Sequence, residues 1–327
     1  MSGTSTDNAP PVAVIDVGSN SVRLFLCEGT NRDGPVGPRL TTVTGLRRGA
    51  DRDGRIARDA LSRLNACAAR YGEMMRARGV VEGVALGTSA VRDAPNNAAV
   101  ARIIGAQLGL PLTIVSGTVE ARLAYAGARL AVDDAGPVIV LDVGGGSTEL
   151  VRGDASGPTG AVSLQIGAVR STEAYLGADP PHPDELARLR EDVEVALADA
   201  VVGIGGPAPL VGVAGTVSTL AAIDLGIYDP RRVHGRVLTR TRVEEMLSWM
   251  SGLTTVERAL IPGLQPARAP VIVAGATIVA AALAAVGTDV MRVSERDLLD
   301  GAVLYADSLI GPVGGLVPQV ATRRDLP

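Results

Sequence analysis

The sequence predicts a mixed α/β fold in two similar halves, and three observations carry that reading. Apolar β-branched runs alternate with stretches of helical periodicity along most of the 327 residues. A short Gly-rich phrase occurs twice, as Asp16-Val17-Gly18-Ser19-Asn20-Ser21 and as Asp142-Val143-Gly144-Gly145-Gly146-Ser147-Thr148-Glu149. Each copy has an apolar run before it and another directly after it, so the glycines close a turn between two strands. That order disfavours a plain dinucleotide-binding start, where the first glycine turn enters a helix.

In the first half, the runs 12–15 and 22–26 are the strands around the first phrase, and 38–46 reads as a third. Residues 58–78 form a helix, because Leu61, Leu64, Ala68, Tyr71 and Met75 recur at helical spacing. A short strand at 84–86 runs into Gly87-Thr88-Ser89-Ala90-Val91-Arg92-Asp93. A helix at 97–108, a strand at 112–115 and a helix capped by Ser116 or Thr118 complete the half. The second half restarts with strands at 138–142, 149–152 and 161–166, then helices at 168–175 and 183–201. A strand at 210–214 meets Gly215-Thr216-Val217-Ser218-Thr219, which opens a helix. Further helices are expected at 241–250, 269–286 and 295–309. Residues 203–209 and 228–235 read as connections, and the Gly/Pro-rich end as a frayed tail.

Composition excludes several chemistries. The chain is 46% hydrophobic but only 2% aromatic, so its core is built from Ala, Val, Leu and Ile. A net charge of −4 and scarce stacking platforms give no reason to expect nucleic-acid binding. All 31 basic residues are arginine, which rules against Walker A and Schiff-base enzymes while suiting bidentate phosphate contacts. Cys27 and Cys67 suggest no disulfide framework, and His182 and His234 lack the spacing of zinc ligands or of a Ser-His-Asp triad. The polar, Pro-containing start has no signal core, so a cytoplasmic protein is expected. The stretch 269–287 is nearly uncharged, but it is Ala-rich and lacks an aromatic belt; it reads as a buried helix, and no membrane contact is expected.

The glycines let backbone N–H groups converge on an anion, and an Asp at the strand end can hold a divalent cation or a water beside it. Two copies suggest two related domains gripping one phosphorylated ligand. Around them stand Asp16 to Arg23, Thr88 to Ala94, Ser116 to Arg122, Asp142 to Glu149, Ser163 to Arg170, Gly212 to Ser218, and Arg268 with the helix after it. This ordered series, spread over residues 13–301, resembles the exopolyphosphatase/guanosine pentaphosphatase (Ppx/GppA) family.

The resemblance implies a duplicated ribonuclease H-like (actin-like ATPase) fold with the site in an interdomain cleft. Residues 12–122 with a return helix at 298–310 would form domain I, residues 123–297 domain II, and 1–11 and 311–327 tails. It implies an exopolyphosphatase releasing the terminal phosphate of inorganic polyphosphate, with pppGpp 5′-phosphohydrolase as the alternative. A non-catalytic sensor of polyphosphate or (p)ppGpp, and an actin-fold kinase, are more distant. Glu120 matches the catalytic general base. Asp142, Glu149 and Asp16 would hold Mg²⁺, or Mn²⁺ in its place. Gly18, Ser19, Asn20, Ser21, Gly144, Gly145, Gly146, Ser147 and Thr148 would cradle phosphates, with Arg23, Arg92 and Arg268 as clamps. Homodimerisation is an expectation by analogy only. Ala267 and Leu299 depart from the residues common in the family, Glu before the matched Arg268 and Arg in the return helix, and bear on chain-length or nucleotide preference. The longer members' C-terminal domains have no counterpart in this sequence.

Overall fold

The computed structural model describes residues 11–31, 34–49 and 53–305. Both expected tails, save residue 11, lie outside these residues, as does the end of the return helix from residue 306. The first half holds β1 (Val12–Val17), β2 (Ser21–Cys27), a small hairpin of β3 (Gly29–Asn31) and β4 (Gly34–Val36), and β5 (Arg39–Val43). Then come α1 (Arg58–Ala77), β6 (Glu82–Gly87), α2 (Ser89–Asp93), α3 (Asn97–Leu108), β7 (Leu112–Ile114) and α4 (Gly117–Arg129). The second half has β8 (Val138–Val143), β9 (Thr148–Asp154), β10 (Gly157–Leu164), α5 (Ala168–Tyr175), α6 (Pro183–Gly203), β11 (Leu210–Val213) and α7 (Ala214–Leu225). It ends with α8 (Pro230–Val233), β12 (Val237–Thr239), α9 (Arg240–Ser251), α10 (Thr255–Arg258), α11 (Ile272–Val286), β13 (Val290–Val293) and α12 (Leu298–Leu304).

The two sheets repeat one plan. The first runs β5-β2-β1-β6-β7 and the second β10-β9-β8-β11-β13, extended at its edge by β12. In each, the first three strands form an antiparallel meander, a fourth pairs in parallel with the central strand, and a fifth pairs in parallel with the fourth. This is a ribonuclease H-like order, present twice. The central strands, VAVIDV and VIVLDV, are apolar on both faces because helices cover both, and each carries its Asp at the fifth position.

Helix α4 is shared by both halves. Its Leu123 and Ala124 pack with Val14, Phe25, Val84 and Leu86 of the first sheet. Its Ala121, Tyr125 and Ala128 pack with Val138, Val140, Val151 and Val211 of the second. α12 returns from the second sheet and crosses α4 in backbone contact: a Cβ at Gly127 would sit 1.8 Å from the Asp297 carbonyl, and one at Gly301 1.9 Å from the Leu123 carbonyl. The Ala-rich stretch forms α11, almost wholly buried under the second sheet; no described helix is long and apolar enough to cross a membrane.

Most expected elements fall where periodicity placed them, with Ser116 as the cap of α4 through its bond from Val119 N (3.3 Å). Helices α11 and α12 each start three residues later than expected, α11 after a 3₁₀ turn at Pro266–Arg268. The β3–β4 hairpin, α2, β12, β13, α8 and α10 are not among the expected elements, and α8 interrupts a stretch read as a connection. Three to five residues are too few for a period to emerge. His182 caps α6 in a capping box, and His234 Nδ1 accepts from Glu295 N (3.2 Å).

Candidate active site

The two Gly-rich turns have the same geometry and face each other. Gly18 N donates to Ser21 O, and Gly144 N to Ser147 O, both at 3.0 Å. The N–H groups of Ser19, Asn20, Gly145 and Gly146 have no protein acceptor among the described residues. Glycine is required here by close approach. A Cβ on Gly145 would lie 3.0 Å from Asn20 N, and one on Gly146 2.5 Å from both Ser19 Oγ and Ser89 Oγ. Ser19 is fixed from the far side, its Oγ accepting from Ala90 N in α2 (3.1 Å).

Between the turns lies a cavity of about 80 Å³, the space of two or three waters. Asp16, Glu120 and Asp142 reach its wall together with both turns, Thr216 and Arg268. Ser116 starts α4 so that Glu120 falls in its first turn, on the buried side. Glu120 Oε2 accepts from Arg92 Nη1 (3.0 Å). Burial dominates its titration and pushes the carboxyl up to about 8, against the Arg92 bond and with help from the charges of Asp16 and Asp142.

The duplicated strands place different partners beside equivalent aspartates. Asp16 pairs in register with Arg23, whose Nε and Nη2 donate to Asp16 Oδ2 at 3.0 and 2.9 Å. Asp142 pairs in register with Glu149. The first acid is therefore neutralised, and the second faces another acid. Burial pushes Asp142 up to about 7, with Arg23 pulling it down and Asp297 and Asp16 adding to the rise. Glu149 is raised well above its ordinary value by burial, then by Glu120 and Asp142.

Not every expected residue touches the cavity. Arg92, Thr148 and Glu149 stand one layer back, Glu149 accepting from Ser163 Oγ (2.7 Å) and Arg92 buttressing Glu120. Arg23 lines the cavity but is held between Asp16 and Asp297. Arg268 is half-buried, bonded only to Gln265 Oε1 (3.2 Å) and with no carboxylate in ion-pair reach among the described residues. Burial, then the Arg23 charge, lowers it to about 10. Its guanidinium lies over Gly215, where a Cβ would be 2.2 Å from Nη1. There α7 begins at Ala214, whose φ of 66° is unusual for a non-glycine residue and strained. Asp297, Ala214 and Ser89 are site residues that motif reading missed. Asp297 heads a legible capping box with Asp300, but its contact with Arg23 spans 274 positions.

The residues fit a hard cation of the Mg²⁺ type. Asp16 Oδ1 is buried without a partner, and Asp142 accepts no side-chain hydrogen bond among the described residues. No three His, Cys, Asp or Glu side chains among the described residues form a self-sufficient ligand set. Such an ion is commonly held by one or two carboxylates and completed by substrate phosphates. A cleft of about 1340 Å³ adjoins the cavity, the two sharing Arg23, Ala214, Gly215 and Arg268.

A duplicated ribonuclease H-like fold that brings two anion-binding turns and buried carboxylates to one cavity suits chemistry on a phosphoanhydride. The chain belongs to the Ppx/GppA phosphatase family, whose model matches residues 37–308. It is 34% identical to exopolyphosphatase 2 of Mycobacterium tuberculosis over 90% of this chain and 97% of that protein. It is 32% identical to exopolyphosphatase 1 of Mycobacterium leprae over 90% of this chain and 88% of that one. Among solved structures, the Aquifex aeolicus Ppx/GppA family member matches with a TM-score of 0.75 and 30% identity, covering 91% of this chain and 97% of its own. An exopolyphosphatase from Cytophaga hutchinsonii matches with 0.83 and 25%, covering 92% and 99%.

Proposed function

We propose that this protein is an exopolyphosphatase that removes the terminal phosphate of inorganic polyphosphate by direct attack of water. The observation that carries the reading is the small carboxylate-walled cavity between the two turns, adjoining a much larger basic cleft. The terminal phosphoryl group sits between the turns and takes hydrogen bonds from the N–H groups of Ser19, Asn20, Gly145 and Gly146. Glu120, ionised, accepts a proton from the attacking water as its oxygen bonds to phosphorus. The bridging P–O bond breaks on the opposite side, and the shortened chain leaves with the electron pair beside Arg268 and the start of α7. Arg92 steadies Glu120, and Ser163 steadies Glu149.

A Mg²⁺ ion held by Asp142 and Asp16, with Glu149 behind, would neutralise charge on the phosphoryl oxygens. Cys27 and Cys67 are buried in the core, which leaves the cavity no thiol for a covalent intermediate. The same cavity would serve pppGpp, a second reading favoured by a cleft wide enough for a nucleoside. Phosphate release from polyphosphates of several lengths and from pppGpp, in the presence of Mg²⁺, tests both. Turnover of polyphosphate supports the first and preference for pppGpp the second; inactivity on all of them refutes the hydrolase reading.

A further inference from the structure

We propose that the phosphates beyond the scissile bond run along the second-half wall of the wide cleft, from Arg268 to Arg292 and Arg231, as a stripe that binds a linear oligophosphate. The stripe rests on the hydrolase reading, which places the chain end in the small cavity. Six arginines line the cleft: Arg23, Arg39, Arg231, Arg268, Arg292 and Arg296. They divide sharply by their partners.

Arg23 is bound to Asp16 and Asp297. Arg39 donates twice to Asp300, at 2.8 and 2.5 Å, and Arg296 donates to the same carboxylate at 2.9 Å. Asp300 is fully buried, so these bonds tie β5 and the start of α12 together and are costly to exchange. A phosphate approaching any of the three arginines would meet a charge already shared with a carboxylate. Arg268, Arg292 on β13 and Arg231 on α8 all belong to the second half, and none has a carboxylate within 4.0 Å among the described residues. Their charge is available at no such cost.

The lining carboxylates that hold no arginine, Asp133 and Glu295, are fewer than these three arginines. Asp297 is committed to Arg23, and Asp133 lies on the loop after α4. Glu295 accepts from Ser218 Oγ (2.5 Å) and Tyr228 Oη (2.7 Å) and keeps its charge, which is felt at Arg268 without an ion pair. The arginines without a carboxylate partner therefore lie on one wall, and they start at Arg268, which the cleft and the cavity share. Repeating phosphates reward a row of cations in a way that a single terminal phosphate cannot. The side chains of Arg231 and Arg292 are then determinants of chain length, standing outside the reacting cavity.

Isothermal titration with tripolyphosphate, long-chain polyphosphate and pppGpp tests this, in a Glu120→Gln background so that ligands persist. Arg231→Gln with Arg292→Gln is expected to weaken long-chain binding about five- to tenfold, leave tripolyphosphate within about twofold, and make the salt dependence shallower. Arg39→Gln, which removes a lining but neutralised arginine, is expected to leave the ratio of the two affinities unchanged. Equal weakening of tripolyphosphate, no weakening of long chains, or a change of ratio by Arg39→Gln would overturn the stripe. Tight binding of pppGpp with none of long chains would overturn it as well. Phosphate release by the Glu120-intact protein is read in parallel. Selective long-chain binding without any release would refute the hydrolase reading and leave the stripe standing.

Discussion

Arg23 and Glu149 occupy equivalent positions in the two copies, and that one difference sets the roles of the aspartates opposite them. Burial above all, with nearby carboxylates adding to it, pushes Glu120 up to about 8 and Asp142 to about 7. A base must be ionised to act, so kcat/KM should climb from pH 6 to pH 8, and a flat profile would contradict the role of Glu120. Glu120→Gln should lower kcat by about 10²–10⁴ while KM changes little, as steady-state assays would show. The same shifts act on stability. Both folded-state values lie above the ordinary 4.5 and 3.8, so the folded protein holds protons that the unfolded chain has released. Stability is therefore full below about pH 4 with respect to these groups and falls as pH rises toward 8. Mg²⁺ should raise Tm more at pH 8 than at pH 5, where protons compete for the same oxygens; an equal rise at both would count against carboxylate binding. Glu120 and Asp142 were legible because they sit in matched phrases. The Arg23–Asp297 contact was not, since nothing local to either residue signals a partner in the far helix.

At the level of elements, glycines at two contacts, the facing turns and the α4–α12 crossing, decide how turns and helices meet. Gly146→Ala places a methyl against Ser19 and Ser89 and should force the two turns apart, so activity collapses while circular dichroism stays native. Gly127→Ala drives a methyl into the Asp297 carbonyl where α4 crosses α12, and should cost about 3 kcal/mol in urea unfolding, at the upper end for overpacking. Ala214→Gly works in the opposite sense. Left-handed geometry costs a residue with a Cβ about 1–2 kcal/mol, and the added freedom of glycine about 0.5–1, so a net gain near 0.5–1 kcal/mol is expected. The long helices and central strands could be read from sequence because each spans several periods. Elements such as β12, β13 and α8 could not, since their residues gain order only from neighbours already in place. The crossing at Gly127 and Gly301 was equally hidden, as neither glycine marks a turn.

Across the whole molecule, the halves meet through few polar contacts beside the turns. Arg170 Nη2 reaches Asp93 (2.6 Å), Arg48 Nη2 reaches the Ala267 carbonyl (2.6 Å), and Gly49 N donates to Glu173 (3.1 Å). The duplicated plan was visible in the repeated phrase, but this closure depends on loops whose partners lie in the other half. Exposed contacts of this kind are screened by salt, as are arginine–phosphate contacts, so KM for polyphosphate should rise steadily with ionic strength. A salt-independent KM would argue that substrate is held by the turns alone. One feature of the architecture bears on how such a molecule moves. Both sheets bury part of α4, and Glu120 projects from its first turn. When two arms swing, the axle travels least. If the arms part, the two Gly-rich turns sweep outward while Glu120 stays near the axis. Reclosure is then a rotation that brings the turns back to a carboxylate that has barely moved.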